Sequence, residues 1–542
     1  MGVSDLHYLT IAEAAQRIAA RDLSPVDLTC AFLDRIAAVD GALNSFIAVT
    51  ADLALAAARQ TEAEIMAGRH RGPLHGVPYA LKDIYDTGGI ATTGHSARCK
   101  DRIPVGDAPV VARLREAGGV LLGKLATHEF ATGGPSWDLP WPPARNPWDL
   151  TRFPGGSSSG SGAAVAAGLA PGAMGSDTGG SIRLPAAFCG TAGIKPTYGR
   201  VSKRGVLPLS FTLDNAGPLA WTVEDCAIML QAIAGHDSLD PASAEVPVPD
   251  YGASLRQGVK GLRIGLVRHW YETEGRATAE VVAAMDTTAE VLRSLGAEVR
   301  EVTLRPLAEY QSCMRLITLS ESFSIHGDRL REHPGDYGEV FRYRIIPGAF
   351  VPATDYVQAL RQQRILAQGM FDALLEVDAL ITASTWGEAP VMAAMRAEAN
   401  FASPPLTNPF NVSQLPTLSL CNGFSANGLP LSLQIAGRAF DEATVFRIGH
   451  AYEAATSWRA QRPAVPSTPV RDTPVDQAAP PPAEATRAIY AALATQAALP
   501  LDARQFAQAC EAIPHVEAMG AVMPRTLPFG AELATTFAFD GE

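Results

Sequence analysis

The chain has 542 residues, of which 47% are hydrophobic and 18% are charged, and its formal net charge at pH 7 is −12. This apolar content is enough for a large buried core. It excludes disorder throughout, which combines low hydrophobicity with high net charge. The acidic balance argues against a protein that binds the phosphate backbone of nucleic acids.

Helices and strands are predicted to alternate along the chain. About the first 65 residues have helical patterns, and one helix begins after the N-cap residue Ser24 with Pro25 at its first position. Helical patterns also cover residues 277–294 and 359–375. Short apolar runs predict buried strands at residues 76–81, 119–122, 262–267, 379–382 and 429–435. This alternation predicts an α/β fold with helices on both faces of a sheet.

Proline content changes sharply near the end of the chain. Residues 463–483 are Pro-rich and predict a semi-extended linker. Helical character returns at residues 485–498 and 503–519. We therefore predict a main domain over 1–462 and a small helical C-terminal segment over 484–542, with a mostly disordered tail as the alternative.

Two Gly- and Ser-rich loops, at residues 155–162 and 175–185, flank an apolar stretch that predicts a short helix at 163–169. That apolar stretch fits poorly with a flexible linker. Paired glycines let the backbone approach a ligand and turn its N–H groups inward. A serine hydroxyl placed among such N–H groups has the surroundings of a nucleophile with its oxyanion hole.

The stretch from Gly155 to Ala186 resembles the signature of the amidase signature hydrolases. The likeness includes Ser157, the Asp-x-Gly-x-Ser-x-Arg-x-Pro run over residues 177–185, and the spacing between the two loops. It also includes an upstream lysine in an apolar strand context, Lys82, and extends over about residues 1–460. The resemblance implies the amidase-signature fold, a large mixed β-sheet sandwiched by helices.

The family implies a Ser-cisSer-Lys triad. Ser181 would be the nucleophile that forms the acyl-enzyme. Ser157, joined to Gly156 by a cis peptide bond, would bridge it to Lys82 as the base. The resemblance also implies that backbone N–H groups receive the developing oxyanion at Thr178, Gly179, Gly180 and Ser181.

The expected lysine chemistry requires a shifted pKa. A free lysine with pKa about 10.4 is no base at neutral pH, whereas burial disfavours the ammonium and lowers the pKa. We expect Asp83 and Asp86 to point away from Lys82, because their charges would oppose that shift.

Three other residues are predicted to support the serine loops. Ser158 is predicted either to support the serine network or to be a turn residue. For Asp177 and Arg183 we expect a buried ion pair that braces the loop and does not touch the substrate.

Other motifs in the chain carry less weight. Ser158 is the centre of a Gly-x-Ser-x-Gly pattern, but the strand that a nucleophile elbow needs does not precede it. Residues 118–125 resemble a P-loop, yet Leu125 replaces the required Ser or Thr, so a buried strand is favoured. No Cys or His cluster has zinc spacing, and we predict neither a metal nor an organic cofactor.

Substrate contacts are predicted just before the first serine loop. In the family, the stretch around Thr132, Gly133 and Gly134 often lines the pocket. Trp137 belongs to a Pro-rich loop with three tryptophans and has two interpretations: one side of the acyl pocket, or packing within a surface loop. The first would favour an aryl or other apolar acyl group.

The resemblance implies an amidohydrolase that cleaves the C–N bond of a small carboxamide, or of a related carbamate or urea. One alternative is the glutaminase-type A subunit of a tRNA-dependent amidotransferase. Others are a carboxybiuret- or urea-type hydrolase with a fused small partner, and a catalytically inactive binding module. The C-terminal segment could be a helical clamp, the contact of a homodimer, or that fused partner.

The cysteines and the first residues indicate the expected cellular compartment. Seven scattered cysteines form no CxxC pair, the first residues lack the pattern of a secretory signal, and no apolar run has membrane-spanning length. We expect a cytoplasmic enzyme with a small-molecule substrate and no membrane or nucleic-acid partner.

Overall fold

A single mixed β-sheet organises the computed structural model, which describes residues 3–402, 404–525 and 527. Across this 11-stranded sheet the order is β1-β3-β2-β4-β6-β5-β10-β11-β9-β7-β8. The strands are β1 (Phe46–Val49), β2 (Pro78–Lys82), β3 (Val120–Leu125), β4 (Gly172–Asp177), β5 (Ala192–Lys195), β6 (Asn215–Ala220), β7 (Arg263–Leu266), β8 (Glu298–Glu301), β9 (Ala379–Ala383), β10 (Thr417–Phe424) and β11 (Pro430–Gly437).

Helices cover the sheet on both faces. All eight residues of β11 are buried, and successive side chains of a strand point to opposite faces, so both faces must be covered. The helices are α1 (Ile11–Ala19), α2 (Pro25–Leu43), α3 (Ala51–Met66), α4 (Pro109–Glu116), α5 (Ser159–Ala166), α6 (Arg183–Cys189), α7 (Val223–Ile233), α8 (Ala279–Ser294), α9 (Leu307–Glu332), α10 (Glu339–Ile345), α11 (Ala353–Glu376), α12 (Ala399–Ala402), α13 (Asn408–Val412), α14 (Glu442–Ala454), α15 (Glu484–Gln496) and α16 (Ala503–Val522). In the described part of the chain, none of these helices has the length and apolar content of a membrane span.

The predicted α/β class is confirmed, and the five predicted strands correspond to β2, β3, β7, β9 and β11. The P-loop-like run forms the buried strand β3, as favoured from the sequence. The residues of β4 were expected to belong partly to a Gly/Ser loop, and this expectation is wrong. With only Gly, Ala, Met, Ser and Asp, β4 has no alternation of apolar and polar residues that would indicate a strand.

The topology brings the upstream lysine next to the serine loops. Strand β2 pairs in parallel with β4, with Ala80 opposite Ala173 and Leu81 opposite Met174. Parallel strands end at the same edge of a sheet. Lys82, the last residue of β2, therefore lies beside Ser176 at the end of β4.

The Pro-rich stretch is attached to the main domain. Arg145 Nη1 lies 2.8 Å from Asp472 Oδ2, and the Val475 N–H donates to the Ala393 carbonyl at 2.7 Å. Both predicted C-terminal helices are present as α15 and α16. Tyr490 and Ile513 from these helices form an apolar cluster with Ile346 of the main domain. Residues 526 and 528–542 of the predicted C-terminal segment lie outside the described residues.

Candidate active site

Lys82 is completely buried at the end of β2 and contacts two hydroxyl groups. Its Nζ lies 2.7 Å from Ser157 Oγ and 2.8 Å from Ser176 Oγ. The predicted contact between the lysine and the bridging serine is therefore present. The contact with Ser176 was not predicted, because nothing in its local sequence distinguishes it from the other loop serines.

The surroundings of Lys82 favour the neutral amine. Burial lowers the pKa of Lys82 to about 7, although the charges of Asp214 and Asp177 act to raise it. Asp83 points away and forms a buried ion pair with Lys124, with Nζ and Oδ1 3.0 Å apart. Asp86 contacts the Arg102 guanidinium at 2.6 Å. The expected orientation of both carboxylates is confirmed.

The first serine loop packs directly on a histidine ring. The Gly156–Ser157 peptide bond is cis, as the resemblance implies. A Cβ on Gly156 would lie 2.0 Å from Cε1 of His128, so only glycine fits here. Burial lowers the pKa of His128 to about 3, which makes its ring a neutral support at physiological pH. The backbone N–H of His128 also donates to the Ser157 carbonyl at 3.1 Å.

Ser158 connects this loop to β4. Its Oγ accepts from the Ser176 N–H at 3.2 Å and donates to the Ser176 carbonyl at 3.3 Å. The Ser158 N–H donates to the Ser181 carbonyl at 3.2 Å. Ser158 therefore joins both serine loops, which favours the supporting role over that of a simple turn residue.

The second serine loop borders a cavity. Three of the four predicted oxyanion positions, Thr178, Gly179 and Ser181, line it. Gly180 differs from the prediction, because its N–H donates to Asp177 Oδ1 at 2.8 Å and is therefore not free for an oxyanion. Gly180 instead lets the chain turn, with φ of +126° and no room for a Cβ against Thr407.

Asp177 and Arg183 form the predicted ion pair, and both side chains are fully buried. The Arg183 Nε and Nη2 atoms each lie 3.0 Å from a carboxylate oxygen of Asp177. Burial raises the pKa of Asp177, but the Arg183 charge more than offsets this and holds it well below its usual value. Asn411 adds a hydrogen bond to Asp177 Oδ1 at 2.8 Å. The pair braces the second serine loop.

The cavity has a volume of about 460 Å³ and contains Ser157 and Ser181 in its lining. Thr132, Gly133 and Gly134 also line it, as predicted. Trp137 is not among the lining residues in the described chain, which favours the second interpretation, packing within a loop. Its ring packs against a cluster that includes Phe153 and Phe188. Aromatic lining is supplied by Phe153, Phe188 and the distant Trp386.

Two further lining residues were missed from the sequence. Arg315 on α9 and Arg344 on α10 both contribute to the cavity. The one signal in the sequence is an arginine between apolar neighbours in each helix, Met314 and Leu316 for the first and Tyr343 and Ile345 for the second.

Comparisons with known proteins show the family. A family model described as Amidase matches residues 27–446. The chain belongs to the amidase signature family. Family members act on C–N bonds.

Individual relatives of this amidase-signature protein have several activities. The A subunit of glutamyl-tRNA(Gln) amidotransferase from Chloroflexus aurantiacus is 40% identical over 489 residues, which cover 85% of this chain and 99% of that protein. The native peptide amidase of Stenotrophomonas maltophilia has 34% identity and a TM-score of 0.73, with 84% of this chain and 98% of that chain covered.

A third similar structure is a vestigial protein complex that reveals the evolutionary origins of an s-triazine catabolic enzyme. It has 33% identity and a TM-score of 0.77, with 82% of this chain and 98% of that chain covered. The two solved structures share the fold of this chain.

Proposed function

We propose that this protein is an amidohydrolase that cleaves the C–N bond of a small carboxamide, or a related carbamate or urea, through a Ser181 acyl-enzyme. The observation that carries the proposal is the 2.7 Å contact between Lys82 Nζ and Ser157 Oγ, beside a cavity that contains Ser181. Water is excluded from the lysine, which is fully buried.

Proton transfer begins at Lys82. With a pKa of about 7, a substantial fraction of this amine is neutral at physiological pH and able to accept the Ser157 proton. Ser157 in turn takes the proton of Ser181, whose oxygen attacks the substrate carbonyl carbon. The same relay in reverse delivers a proton to the leaving nitrogen. Water then attacks the acyl-enzyme by the same route.

Stabilisation of the oxyanion is assigned to the backbone N–H groups of Thr178, Gly179 and Ser181. These residues line the cavity on the loop that Asp177 and Arg183 hold in place. Donors fixed before the reaction stabilise the charge that develops in the transition state without reorganising. The Gly180 N–H contributes indirectly, because its hydrogen bond to Asp177 fixes the loop.

The acyl group is proposed to lie along Phe153, Phe188 and Trp386, which give the cavity an apolar side. A cavity of about 460 Å³ accepts a small molecule and not a folded protein chain. An amide with a short hydrocarbon acyl chain fits these dimensions.

A serine-reactive fluorophosphonate tests the proposal directly. We expect peptide mass spectrometry to find the probe on Ser181, and Lys82→Ala to abolish both the labelling and the hydrolysis of a panel of small amides. Lys100→Ala is the matched control, because that lysine side chain is 60% exposed. Labelling elsewhere, or unchanged labelling in Lys82→Ala, contradicts the proposal.

A second candidate is the glutaminase-type A subunit of a tRNA-dependent amidotransferase. Its support is the 40% identity to such A subunits over 99% of their length. This candidate predicts glutamine hydrolysis that a partner subunit stimulates, whereas an autonomous hydrolase turns over its amide without a partner.

A third candidate is a urea- or carboxybiuret-type hydrolase with a fused small partner. It draws on the TM-score of 0.77 to the complex related to an s-triazine catabolic enzyme, and on the attached helices α15 and α16. Assays of the purified chain alone with glutamine, simple amides and biuret-type ureas separate the three candidates.

A further inference from the structure

We propose that Nε2 of His128 accepts a hydrogen bond from the N–H of the scissile amide, and that the protein therefore favours substrates whose leaving nitrogen carries a hydrogen. Tertiary amides and esters lack this hydrogen. The inference rests on the proposed amidohydrolase function and adds a residue that contacts the leaving nitrogen. It addresses the choice between amides and esters, which the lysine and the two serines alone leave open.

The imidazole ring of His128 lies against the first serine loop. A Cβ on Gly156 would lie 2.6 Å from Nε2 of His128, so this edge of the ring is next to the Gly156–Ser157 peptide. Gly156, Ser157 and His128 all line the cavity that contains Ser181. The histidine is otherwise buried, with 5% of its surface exposed. The ring thus borders the cavity where Ser157 would meet the substrate.

The hydrogen bond of Nδ1 fixes the tautomer of His128. Nδ1 lies 3.1 Å from the carbonyl oxygen of Gly133, which can only accept, so the hydrogen is assigned to Nδ1. Arg344 Nη1 donates to the same oxygen at 2.6 Å and holds that carbonyl in place. Burial, with the charges of Arg344 and Lys82, lowers the pKa of His128 to about 3, so the ring is neutral at pH 7. Nε2 therefore carries a lone pair and no hydrogen.

This lone pair is unused within the described part of the chain. Nδ1 of His128 contacts Gly133, whereas Nε2 has no hydrogen-bond partner among the described residues. The face of the ring stacks on Phe153, with the centroids 5.6 Å apart and 20° between the planes. The ring is therefore held in one orientation by its face and by Nδ1. Because buried polar atoms are normally hydrogen-bonded, the free acceptor indicates a donor that the substrate brings.

The leaving nitrogen is the substrate donor that fits this position. In the proposed mechanism Ser157 returns its proton to that nitrogen, which must then lie beside Ser157 when the C–N bond breaks. The carbonyl oxygen of the substrate faces the proposed oxyanion donors of Thr178 and Gly179, and it has no hydrogen to donate. Of the atoms at the scissile bond, only the N–H can therefore bind to Nε2 of His128.

This hydrogen bond would orient the leaving nitrogen for protonation. After the Ser181 oxygen bonds to the carbonyl carbon, the nitrogen is pyramidal and its lone pair must face the Ser157 hydroxyl. Ser157 gives its proton to this lone pair and recovers one from the Lys82 ammonium. The C–N bond breaks with its electron pair on nitrogen, and the oxyanion re-forms the carbonyl of the acyl-enzyme. His128 keeps its own hydrogen throughout and holds the nitrogen by the N–H.

Isomeric amides test the inference on the unmodified enzyme. N-ethylpentanamide and N,N-dimethylpentanamide contain the same atoms, but only the first has an N–H. We expect kcat/KM of N-ethylpentanamide to be about 10- to 100-fold higher, because the dimethyl isomer leaves a buried acceptor unpaired. Equal or reversed values overturn the inference, and the proposed function stands if the fluorophosphonate labels Ser181. Without that labelling the proposed function itself fails.

The variant His128→Asn separates the acceptor from the packing of the ring. Asparagine retains an N–H near the position of Nδ1 for Gly133 and lacks the acceptor at Nε2. N-methylpentanamide and methyl pentanoate differ only in N–H or oxygen at the leaving atom, and kcat/KM reports the acylation of each. We expect His128→Asn to lower kcat/KM by about 10- to 100-fold for the amide and by less than about threefold for the ester. Equal losses would indicate a structural role alone and overturn the inference.

Rescue and labelling complete the test. His128→Gln extends an acceptor to the reach of Nε2 and should return kcat/KM for the amide to within about fivefold of the unmodified enzyme. The fluorophosphonate loses fluoride and has no N–H, so we expect His128→Asn to leave the labelling rate of Ser181 nearly unchanged. His70→Asn, at an exposed position, is the matched control and should keep the ratio of amide to ester turnover. No gain of a folded His128→Gln over His128→Asn contradicts the inference.

A further variant covers the case in which His128→Asn does not fold. His128→Phe keeps a ring against Gly156 and Phe153 and removes the acceptor. It should lower the ratio of amide to ester turnover by the same about 10- to 100-fold. An unchanged ratio in either folded variant overturns the inference.

Discussion

The catalytic centre and the acyl part of the cavity are built in different ways. The proposed catalytic centre draws on β2, β4 and two adjoining loops, and Lys82, Ser157, Ser158 and Ser176 in it are joined by hydrogen bonds such as that of Lys82 Nζ to Ser157 Oγ at 2.7 Å. The acyl part, defined by Phe153, Phe188 and Trp386, combines α6 with a segment before α5 and the segment after β9, which are distant in the sequence.

This difference separates the reaction from the choice of substrate. In the proposed mechanism, the lysine, the serines and the braced loop activate a hydroxyl whatever amide is bound. We expect the choice of amide to depend on other residues that line the cavity, including the aromatic side chains of Phe153, Phe188 and Trp386. Changes in the first region should therefore remove turnover, and changes in the second should alter preference among substrates.

The largest effect is expected from removing the nucleophile. Ser181→Ala should lower kcat by about 10⁴-fold or more, because no acyl-enzyme forms. Steady-state kinetics on the best amide of the panel, with thermal unfolding to verify the fold, measures this loss. Ser294→Ala, a change on the exposed surface of α8, should leave kcat within twofold. Comparable loss in both variants would contradict the assignment of Ser181.

A large loss of stability is expected when the brace of the nucleophile loop is broken. Arg183→Met leaves Asp177 as an uncompensated buried charge, and this should lower the free energy of unfolding by about 3–5 kcal/mol. Urea unfolding measures the change. The matched control is Arg256→Met. The Arg256 side chain pairs with Glu224 but is 67% exposed, so we expect the free energy of unfolding to change by about 0–1 kcal/mol. Similar losses would show that the buried pair has no special role.

A moderate effect on substrate affinity distinguishes two tryptophans. Trp386→Ala should raise KM for an amide with a hydrocarbon acyl chain by about tenfold, because part of the apolar lining is lost. Trp137→Ala should leave the order of preference among the amides unchanged, since Trp137 packs outside the lining. Parallel kinetics on both variants provides the comparison. A reordered preference in Trp137→Ala alone would reverse this account.

The smallest effect is expected at the attached C-terminal helices. Glu511 on α16 accepts a hydrogen bond from Tyr343 and lies 3.8 Å from Arg396, so it supports residues next to the acyl part. Glu511→Gln should lower kcat/KM by about two- to threefold through weaker positioning, since neutral contacts are weaker than charge-assisted ones. If Glu511→Gln lowered kcat by as much as is expected for Ser181→Ala, this helix would belong to the catalytic region instead.

The sequence revealed the catalytic centre better than the acyl part, for a physical reason. Lys82, Ser157 and Ser181 belong to a contiguous signature and one upstream strand, and the resemblance supplied their roles. Paired glycines were correctly taken as points of close approach, as Gly156 against His128 shows. The donor role of Gly180 was not correct, because the hydrogen bond of its N–H to Asp177 depends on the folded loop.

The acyl part was predicted poorly because residues close to the serine loop in the sequence do not all line the cavity. Trp137 precedes the serine loop closely, yet the tryptophan that lines the cavity in the described chain is Trp386. In the catalytic centre, strand β4 had no alternation of apolar and polar residues that would predict a strand, because small residues dominate it. Arg315 and Arg344 stand out as charges among apolar residues, but only the arrangement of α9 and α10 brings them together.

The pH dependence of fluorophosphonate labelling at Ser181 tests the central claim most directly. Reaction requires neutral Lys82, whose pKa burial lowers to about 7, so the labelling rate should fall as the pH drops through about 7 and reach a plateau above it. A midpoint near the pKa of a free lysine, about 10.4, or a rate that does not change with pH, would contradict the account.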